Sequence, residues 1–540
     1  MSESVAVLGG GVAGLSAAKE LVERGFDVSV REKRGRFGGK ARSVPVPDTG
    51  GSGSKPLPGE HGFRFFPAFY RHLFDTMKGI PYGDNEDGVH GNLVPVNEWI
   101  VAREGQSEVD LPIELPDMIE EWETVLDFLV GTPLDVPEAE KKFFVDRLLT
   151  FLTSCEERRR EEYEHIPWWE FIDAENKSWE YQQVYGIGLT RCLVAMKAKE
   201  SSTRTIGKIY TQLLFGIAMP WLSADKILNG PTNEVWIDPW VEYLDAEGVE
   251  FYPESTVEHI ECVDGRITGV DIRRDGEIQT VTADQYLAAL PVEVMEELVT
   301  AEIAEAAPSL GEIDQLKTEW MNGIQYYLGE DVTIADGHAI YQGSPWALTS
   351  VSQRQFWESD LSEYGEADVE GIISICISDW EAPGELIEKP AKECTPQEVK
   401  DEVWHQLTTR LDNEASEGLT EDLVLDWHLD PAIEYPAPNE ATNAEPLLVN
   451  TVGSLQYRPE ADTGIPNLFL AADYVRTNSD LACMEGANEA ARRAVNGILD
   501  AIDSDAERCT VWDVEDPAVF KPMKMYDRMR YDMGKSHRDA

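Results

Sequence analysis

The residues with the plainest chemical purpose lie near the start of the chain. Gly9-Gly10-Gly11-Val12-Ala13-Gly14 forms a GxGxxG turn, and Glu32 follows eighteen residues after its last glycine. In such a turn the first glycine makes the bend, the second lets backbone approach a diphosphate, and the third lets helix touch strand. The helix that begins there offers free N–H groups and its positive dipole end to phosphate oxygens. Glu32 stands where a carboxylate accepts from both ribose hydroxyls of an adenosine, and it would repel a 2′-phosphate. A lone GxGxxG is weak, because glycine-rich turns are common. The continuation is what distinguishes FAD from NAD. After Glu32 come Lys33 and Arg34, then Arg36, the pair Gly38-Gly39, Lys40 and Arg42. Two glycines permit close backbone approach, and the cations neutralise phosphate charge.

Arg64 is the sharpest candidate for chemistry outside dinucleotide binding. It sits in Glu60-His61-Gly62-Phe63-Arg64-Phe65-Phe66, where a guanidinium among aromatics can polarise a substrate, hold a quinone carbonyl or stabilise a reduced flavin. The competing role is a structural ion pair with Glu60. His61 and His72 are candidates for chemistry or for capping and packing. Trp168, Trp169, Trp346 and Trp357 either line an apolar tunnel or sit in a core or domain interface. No HxH, HExxH or carboxylate cluster suggests a metal, and no GxSxG or Cys/His pairing suggests acyl transfer.

These groups need a scaffold of alternating strands and helices. Ser4–Leu8 and Asp27–Arg31 read as strands around a helix from Leu15 to Arg24. Helical spacing follows over Leu115–Cys155 (Val125, Leu126, Phe128, Leu129) and resumes at Trp168. The most apolar stretch, Ile206–Ala224, contains Leu213 to Leu222; it is a core helix, a pocket wall or a bilayer contact. Short strands return at 249–252, 255–260, 267–272 and 280–283, with hairpin signals at Asp264-Gly265 and Asp275-Gly276. Strands are also expected at 286–291, 372–377 and 467–473, and a helix from about Gly486 to Ile502. Nucleotide-type pieces thus stand at the start, middle and end of the sequence. The spacing predicts an α/β fold with a discontinuous Rossmann-type FAD-binding domain (1–110, 226–300, 446–510). A mixed α+β substrate domain is inserted in two portions (111–225, 301–445), and a tail follows (511–540).

The chain has 540 residues, with 101 acidic against 46 basic side chains and a net charge of −55. The acids are spread throughout, so the whole surface repels nucleic acid and anionic lipid. Adaptation to a salt-rich cytoplasm is the expected reason, because salt confines self-repulsion to short range. Seven cysteines, odd in number and without CxxC, fit a reduced interior. No signal peptide is recognisable and no run reaches the length of a membrane span. The expected location is the cytoplasm, with peripheral contact at the inner face of the cell membrane as the alternative. Residues 521–540 run against the trend, with six cations and three carboxylates beside Met523, Met525, Tyr526 and Met529. They predict a helix docked on the acidic body, a membrane contact or an exposed frayed end.

Four blocks together resemble the amine oxidase and carotenoid desaturase superfamily of flavoproteins. Within it the likeness is to plant-type phytoene and ζ-carotene desaturases and to hydroxysqualene dehydroxylases. The blocks are the opening GxGxxG-to-GGK segment, Glu60–Phe66, Leu228-Asn229-Gly230-Pro231 through Trp240 to Val257, and Pro466–Tyr474 with Cys483-Met484-Glu485-Gly486-Ala487. The resemblance implies a GR2-type FAD domain. It assigns Gly9, Gly11, Val12, Ala13 and Gly14 to the pyrophosphate turn and Glu32 to the adenosine ribose. Lys33, Arg34, Gly38, Gly39 and Lys40 fall near phosphate or ribityl oxygens, and Gly62, Phe63 and Arg64 border the flavin. Val257 meets the adenine, Asp473 a ribityl hydroxyl, and Met484 the pyrimidine carbonyl through its N–H. Arg64 stands where the desaturase block has histidine, and Ala472 where glycine is usual. The implied activity is hydride transfer between a long apolar isoprenoid and FAD, with a quinone as the plausible electron acceptor. Dehydroxylation, amine oxidation and redox-silent isomerisation or cyclisation are the other activities of such scaffolds.

Overall fold

Five short strands, rich in aliphatic residues at its centre, make the sheet that everything else surrounds. Its order is Leu468–Leu470, Gln285–Ala288, Ser4–Leu8, Asp27–Arg31, Glu250–Tyr252, and all four neighbouring pairs run parallel. The first two strands in that order are buried at every residue, as in a parallel sheet covered on both faces. The computed structural model describes residues 3–51, 53–96, 98–103, 106–112, 136–218, 225–366, 368–411, 418–437, 439–514 and 516–537.

The central strand leads directly into the opening helix, Val12–Val22, and the closing helix, Met484–Ala501, packs against it. Small residues make that approach close. Ala17 and Ala18 on one helix, and Ala490, Ala491 and Ala494 on the other, are fully buried. Asn488 Nδ2 ties the pair by donating to Ser16 Oγ at 2.8 Å.

A second, seven-stranded sheet carries Asn322–Leu328, Gly371–Ile377, Thr349–Ser352 and Gly337–Gln342, flanked by Val424–Leu429 on one side and by Glu98–Arg103 and Gln106–Pro112 on the other. Glu98–Arg103, which the sequence places within the expected segment 1–110, pairs in parallel with Gly337–Gln342. Its apolar run with polar ends is compatible with either sheet.

A three-stranded antiparallel sheet spans Thr256–Val263, Arg266–Arg274 and Glu277–Val281. Its turns fall at Asp264-Gly265 and Asp275-Gly276, where all four residues have positive φ. That is the type I′ geometry which Asp-Gly favours.

The helical region contains Glu138–Thr153, Glu156–Glu161, Leu189–Val194 and Thr203–Ala218. Phe144, Leu148, Trp168, Tyr181 and Tyr210 form its core. Of the expected helix over 115–155, Val125, Leu126, Phe128 and Leu129 lie outside the described residues, as does the end of the apolar stretch, 219–224. Trp168, Trp346 and Trp357 are buried core residues. The chain ends in a helix, Lys521–Asp532, docked on this region. Asp527 accepts from Arg158 Nε and from the backbone N–H of Cys155. Arg159 and Lys524 both reach Asp516.

Candidate functional site

The turn after the first strand is built by two steric constraints. Gly9 has φ +108°, and a Cβ there would lie 2.3 Å from the carbonyl oxygen of Ala289. A Cβ on Gly14 would lie 2.0 Å from Gly9 O. No side chain fits either place, so helix and strand meet and the helix N-terminus opens toward the sheet's carboxyl edge. The glycine pair closes on this turn, with Gly38 N–H donating to Gly10 O at 2.8 Å. Glu32, at the end of the second strand, accepts from Gly10 N–H and Arg34 N–H, both at 2.9 Å.

Above this turn lies a cavity of about 370 Å³. Every residue expected to bind the cofactor except Gly14 lines it; Gly14 is enclosed by the turn it helps to form. Part of the lining is polar: Glu32, Lys33, Arg34, Lys40, Glu293 and Asp473. Part is aromatic and aliphatic: Phe65, Phe69, Tyr70, Ile209, Leu213 and Leu481. Met484, on the first turn of the closing helix, lines it too. Cys483 caps that helix, its Sγ accepting from Gly486 N–H at 3.4 Å. Burial pushes the Cys483 thiol up to about 12, so it stays protonated. Burial likewise raises the Tyr70 phenol, which touches Cys483. The two are neutral at physiological pH.

The expected cations have partners of their own. Arg34 lies 2.7 Å from Glu445, which Arg42 also grips through both guanidinium nitrogens at 2.9 Å. Lys40 pairs with Glu293 at 3.3 Å. Burial depresses Lys33, and the neighbouring Arg34 adds to the effect. Burial raises the Glu293 carboxyl against the opposing pull of Lys40.

Arg64 lies near Glu60, as its structural role requires, and also faces the cavity. Its guanidinium donates to the carbonyl oxygens of Gly62 and of Lys40, the latter at 2.7 Å, and lies 3.9 Å from Glu60. It also lines the cavity. Burial lowers the Arg64 pKa and raises that of Glu60, and each charge opposes the shift of the other. Glu60 is further held by Thr232 through N–H and hydroxyl at 3.0 and 3.1 Å.

The two histidines separate. His72 Nε2 accepts from Trp512 N–H at 2.9 Å, which assigns the ring proton to Nδ1, and Nδ1 donates to Glu485 at 2.7 Å. Glu485 also accepts from the backbone of Arg71, His72 and Leu73, capping the helix His72–Lys78. His72 is therefore structural. His61 lines the cavity, with Nδ1 2.5 Å from Asp430 and 3.9 Å from Glu445. These three could surround a cation, their ligand atoms lying within 4.8 Å of one another. Both carboxylates are already matched, Glu445 by Arg34 and Arg42, Asp430 by His61 and the amide of Asn322. The trio is part of a polar network anchored by the pairing of Glu445 with Arg34 and Arg42. Of the four tryptophans weighed for a tunnel, none lines the cavity. Glu293, Glu445, Tyr70 and Cys483 went unrecognised in the sequence. Only Cys483 carried a usable signal, its place immediately before the closing helix.

Residues 12–499 match the model of the flavin containing amine oxidoreductases. The chain belongs to this family. As a member it is a flavin-dependent oxidoreductase, and its cofactor is a flavin. It is 24% identical to a ζ-carotene desaturase of Synechocystis sp., across 92% of this chain and 97% of that protein. It is 23% identical to a 15-cis-phytoene desaturase of Synechococcus elongatus, across 89% and 93%. Among solved structures it shares the fold of a cyclohexylamine oxidase from Brevibacterium oxydans, with a TM-score of 0.60, 13% identity and coverage of 93% of this chain and 100% of that one.

Proposed function

We propose that this oxidoreductase binds FAD and desaturates a long, apolar isoprenoid. The observation that carries the reading is the mixed lining of one cavity, which joins the glycine turn and its charged neighbours to a set of aromatic and aliphatic side chains. The residues present suit FAD: glycines that leave no room for a Cβ, a carboxylate at Glu32, and two helix N-termini facing the space. In a desaturation the substrate loses a hydride from one carbon and a proton from its neighbour, and FAD, when bound, supplies the hydride acceptor at its N5.

The chain's own residues do the positioning. Gly9, Gly11 and Ala13 receive the diphosphate at the opening helix, where N–H groups and dipole favour an anion. Glu32 holds the ribose, and Asp473 the ribityl chain. The N–H at Met484 and the positive end of the closing helix stabilise negative charge on the reduced ring. Arg64 fixes the carbonyls of Gly62 and Lys40 and adds positive charge beside the ring. Phe65, Phe69 and Leu213 exclude water and hold an apolar chain in line. A quinone is the proposed final electron acceptor. Similarity to ζ-carotene and phytoene desaturases supports the substrate class. An amine is disfavoured, because Glu445 and Glu293 in the lining are already paired with Arg34, Arg42 and Lys40, and Arg64 would repel its cation.

The test is protein purified in concentrated KCl, examined for bound flavin and incubated anaerobically with dispersed phytoene. Bleaching of the visible flavin band and a product lacking two hydrogens are expected. A protein that stays colourless with added FAD would overturn the nucleotide assignment. Turnover of benzylamine with peroxide release, or a product of unchanged mass, would overturn the desaturase reading.

A further inference from the structure

The exposed apolar side chains of this protein are not evenly spread. Of the large hydrophobics exposed to solvent, Val519, Met523, Met525, Tyr526, Met529 and Met533 fall within one fifteen-residue stretch. The others, such as Trp179, Leu386 and Val452, stand singly in different elements. On the helix Lys521–Asp532, Asp527 faces the body and is buried against Arg158 and Cys155. Pro522, Met525, Tyr526, Met529 and, just past its end, Met533 recur at i, i+3, i+4, i+7 and i+11 on the opposite side. That spacing makes one continuous stripe along a helix. The stripe points straight out, with Met525 72% and Met533 63% exposed.

We propose that this helix is a membrane-docking element whose stripe enters the headgroup layer of an anionic bilayer. Charge complementarity selects the occupant. Lys521 and Arg530 border the stripe on either side and Lys535 follows it, while Arg528 is already paired with Glu157 and Asp532. Such borders suit phosphate headgroups beside an apolar face lying in the interface plane. A second copy of the chain fits less well. Face-to-face pairing of two such helices sets cation against cation, and among the described residues no other segment gathers exposed large apolar side chains in this number. The mounting is rigid, since Arg158 spans Asp527, Glu162 and the carbonyl of Lys535. Phe520, at the foot of the helix, is buried in the same core as Ile209 and Leu214, and Ile209 and Leu213 also line the cavity. Docking would therefore couple the membrane surface to the layer that forms part of the cavity wall. Among the described residues no helix is long and apolar enough to cross a membrane, so contact would be interfacial.

The experiment is flotation of the full-length flavoprotein with vesicles, read independently of turnover, so its failure leaves the desaturase reading standing. At about 1 M KCl the Debye length is ~3 Å, which screens the body's longer-range repulsion from an anionic surface and leaves only the contact-range attraction between headgroups and the cations beside the stripe. The intact protein should float with vesicles of equal parts phosphatidylglycerol and phosphatidylcholine, and less with phosphatidylcholine alone. The triple variant Met525→Ser, Met529→Ser, Met533→Ser should lose at least tenfold in vesicle affinity with its flavin spectrum unchanged. Lys521→Gln with Arg530→Gln should lower binding to the anionic vesicles alone. Equal flotation of the triple variant, or no flotation of the parent protein, would overturn the proposal. So would a dimer in sedimentation that the triple variant converts to monomer, which would assign the stripe to a second copy.

Discussion

Glu32 and Asp480 show how differently two buried carboxylates serve one site. Glu32 accepts two backbone N–H groups, from Gly10 and Arg34, and so locks the glycine turn to the segment that follows the second strand. Glu32→Ala would orphan both donors, at about 1–3 kcal/mol for each one left buried, and remove the proposed ribose contact. The variant should purify without a visible flavin band and with a lowered Tm; full flavin occupancy would refute its assigned place. Asp480 instead balances charge. Burial pushes its carboxyl up, but Arg204 and Arg458 outweigh that and hold it below its ordinary value. A carboxylate depressed in the folded state contributes stability above its unfolded pKa, about 3.9, and loses that contribution as pH falls through the folded value. Denaturation midpoints should therefore hold from neutrality to about pH 5 and fall below about pH 4. Asp480→Asn should lower the neutral plateau and flatten the acid limb. An unchanged acid limb would show that the pair is not responsible.

Elements meet at this site through such bridges as much as through apolar packing. Asp480 joins Thr205, at the start of the helix Thr203–Ala218, to Arg458. Arg458 in turn holds the carbonyls of Asp473, Tyr474 and Val475, just past the last strand of the parallel sheet. The C-terminal helix is tethered in the same manner. Asp527→Ala would leave Arg158 buried with only Glu162 and a backbone carbonyl, a loss of roughly 3 kcal/mol. Limited proteolysis should then cut between about 511 and 537 in the variant while the rest of the chain stays intact. Equal resistance in parent and variant would mean that apolar contacts such as Phe520 suffice to hold the helix.

For the molecule as a whole, the net charge of −55 dominates behaviour in solution. Most acids have no cation to meet, since carboxylates outnumber basic groups more than two to one. Self-repulsion destabilises the compact state, and the Debye length falls from about 10 Å at 0.1 M salt to ~3 Å at 1 M. Thermal unfolding in rising KCl should show Tm increasing steeply over that range and levelling above it. A Tm independent of KCl would remove the argument that this surface is fitted to concentrated salt.

Local chemistry made the glycine turn and its flanking strands and helix readable without coordinates. Gly14, the positive φ of Gly9 and the Asp-Gly hairpins are each dictated within a few residues, because they are properties of the immediate backbone; the carbonyl of Ala289 that forbids a Cβ on Gly9 comes from far along the chain. The alternation of strand and helix from Ser4 to Arg31 is legible for the same reason. Tertiary structure alone decided the rest. Glu98–Arg103 joins the second sheet through a partner more than two hundred residues away. Glu445 neutralises Arg34 and Arg42 from the far side of the chain, and Glu293 does so for Lys40. Long-range ion pairs and sheet pairings leave no period or spacing in a sequence, because the residues involved are neighbours only once the chain has folded.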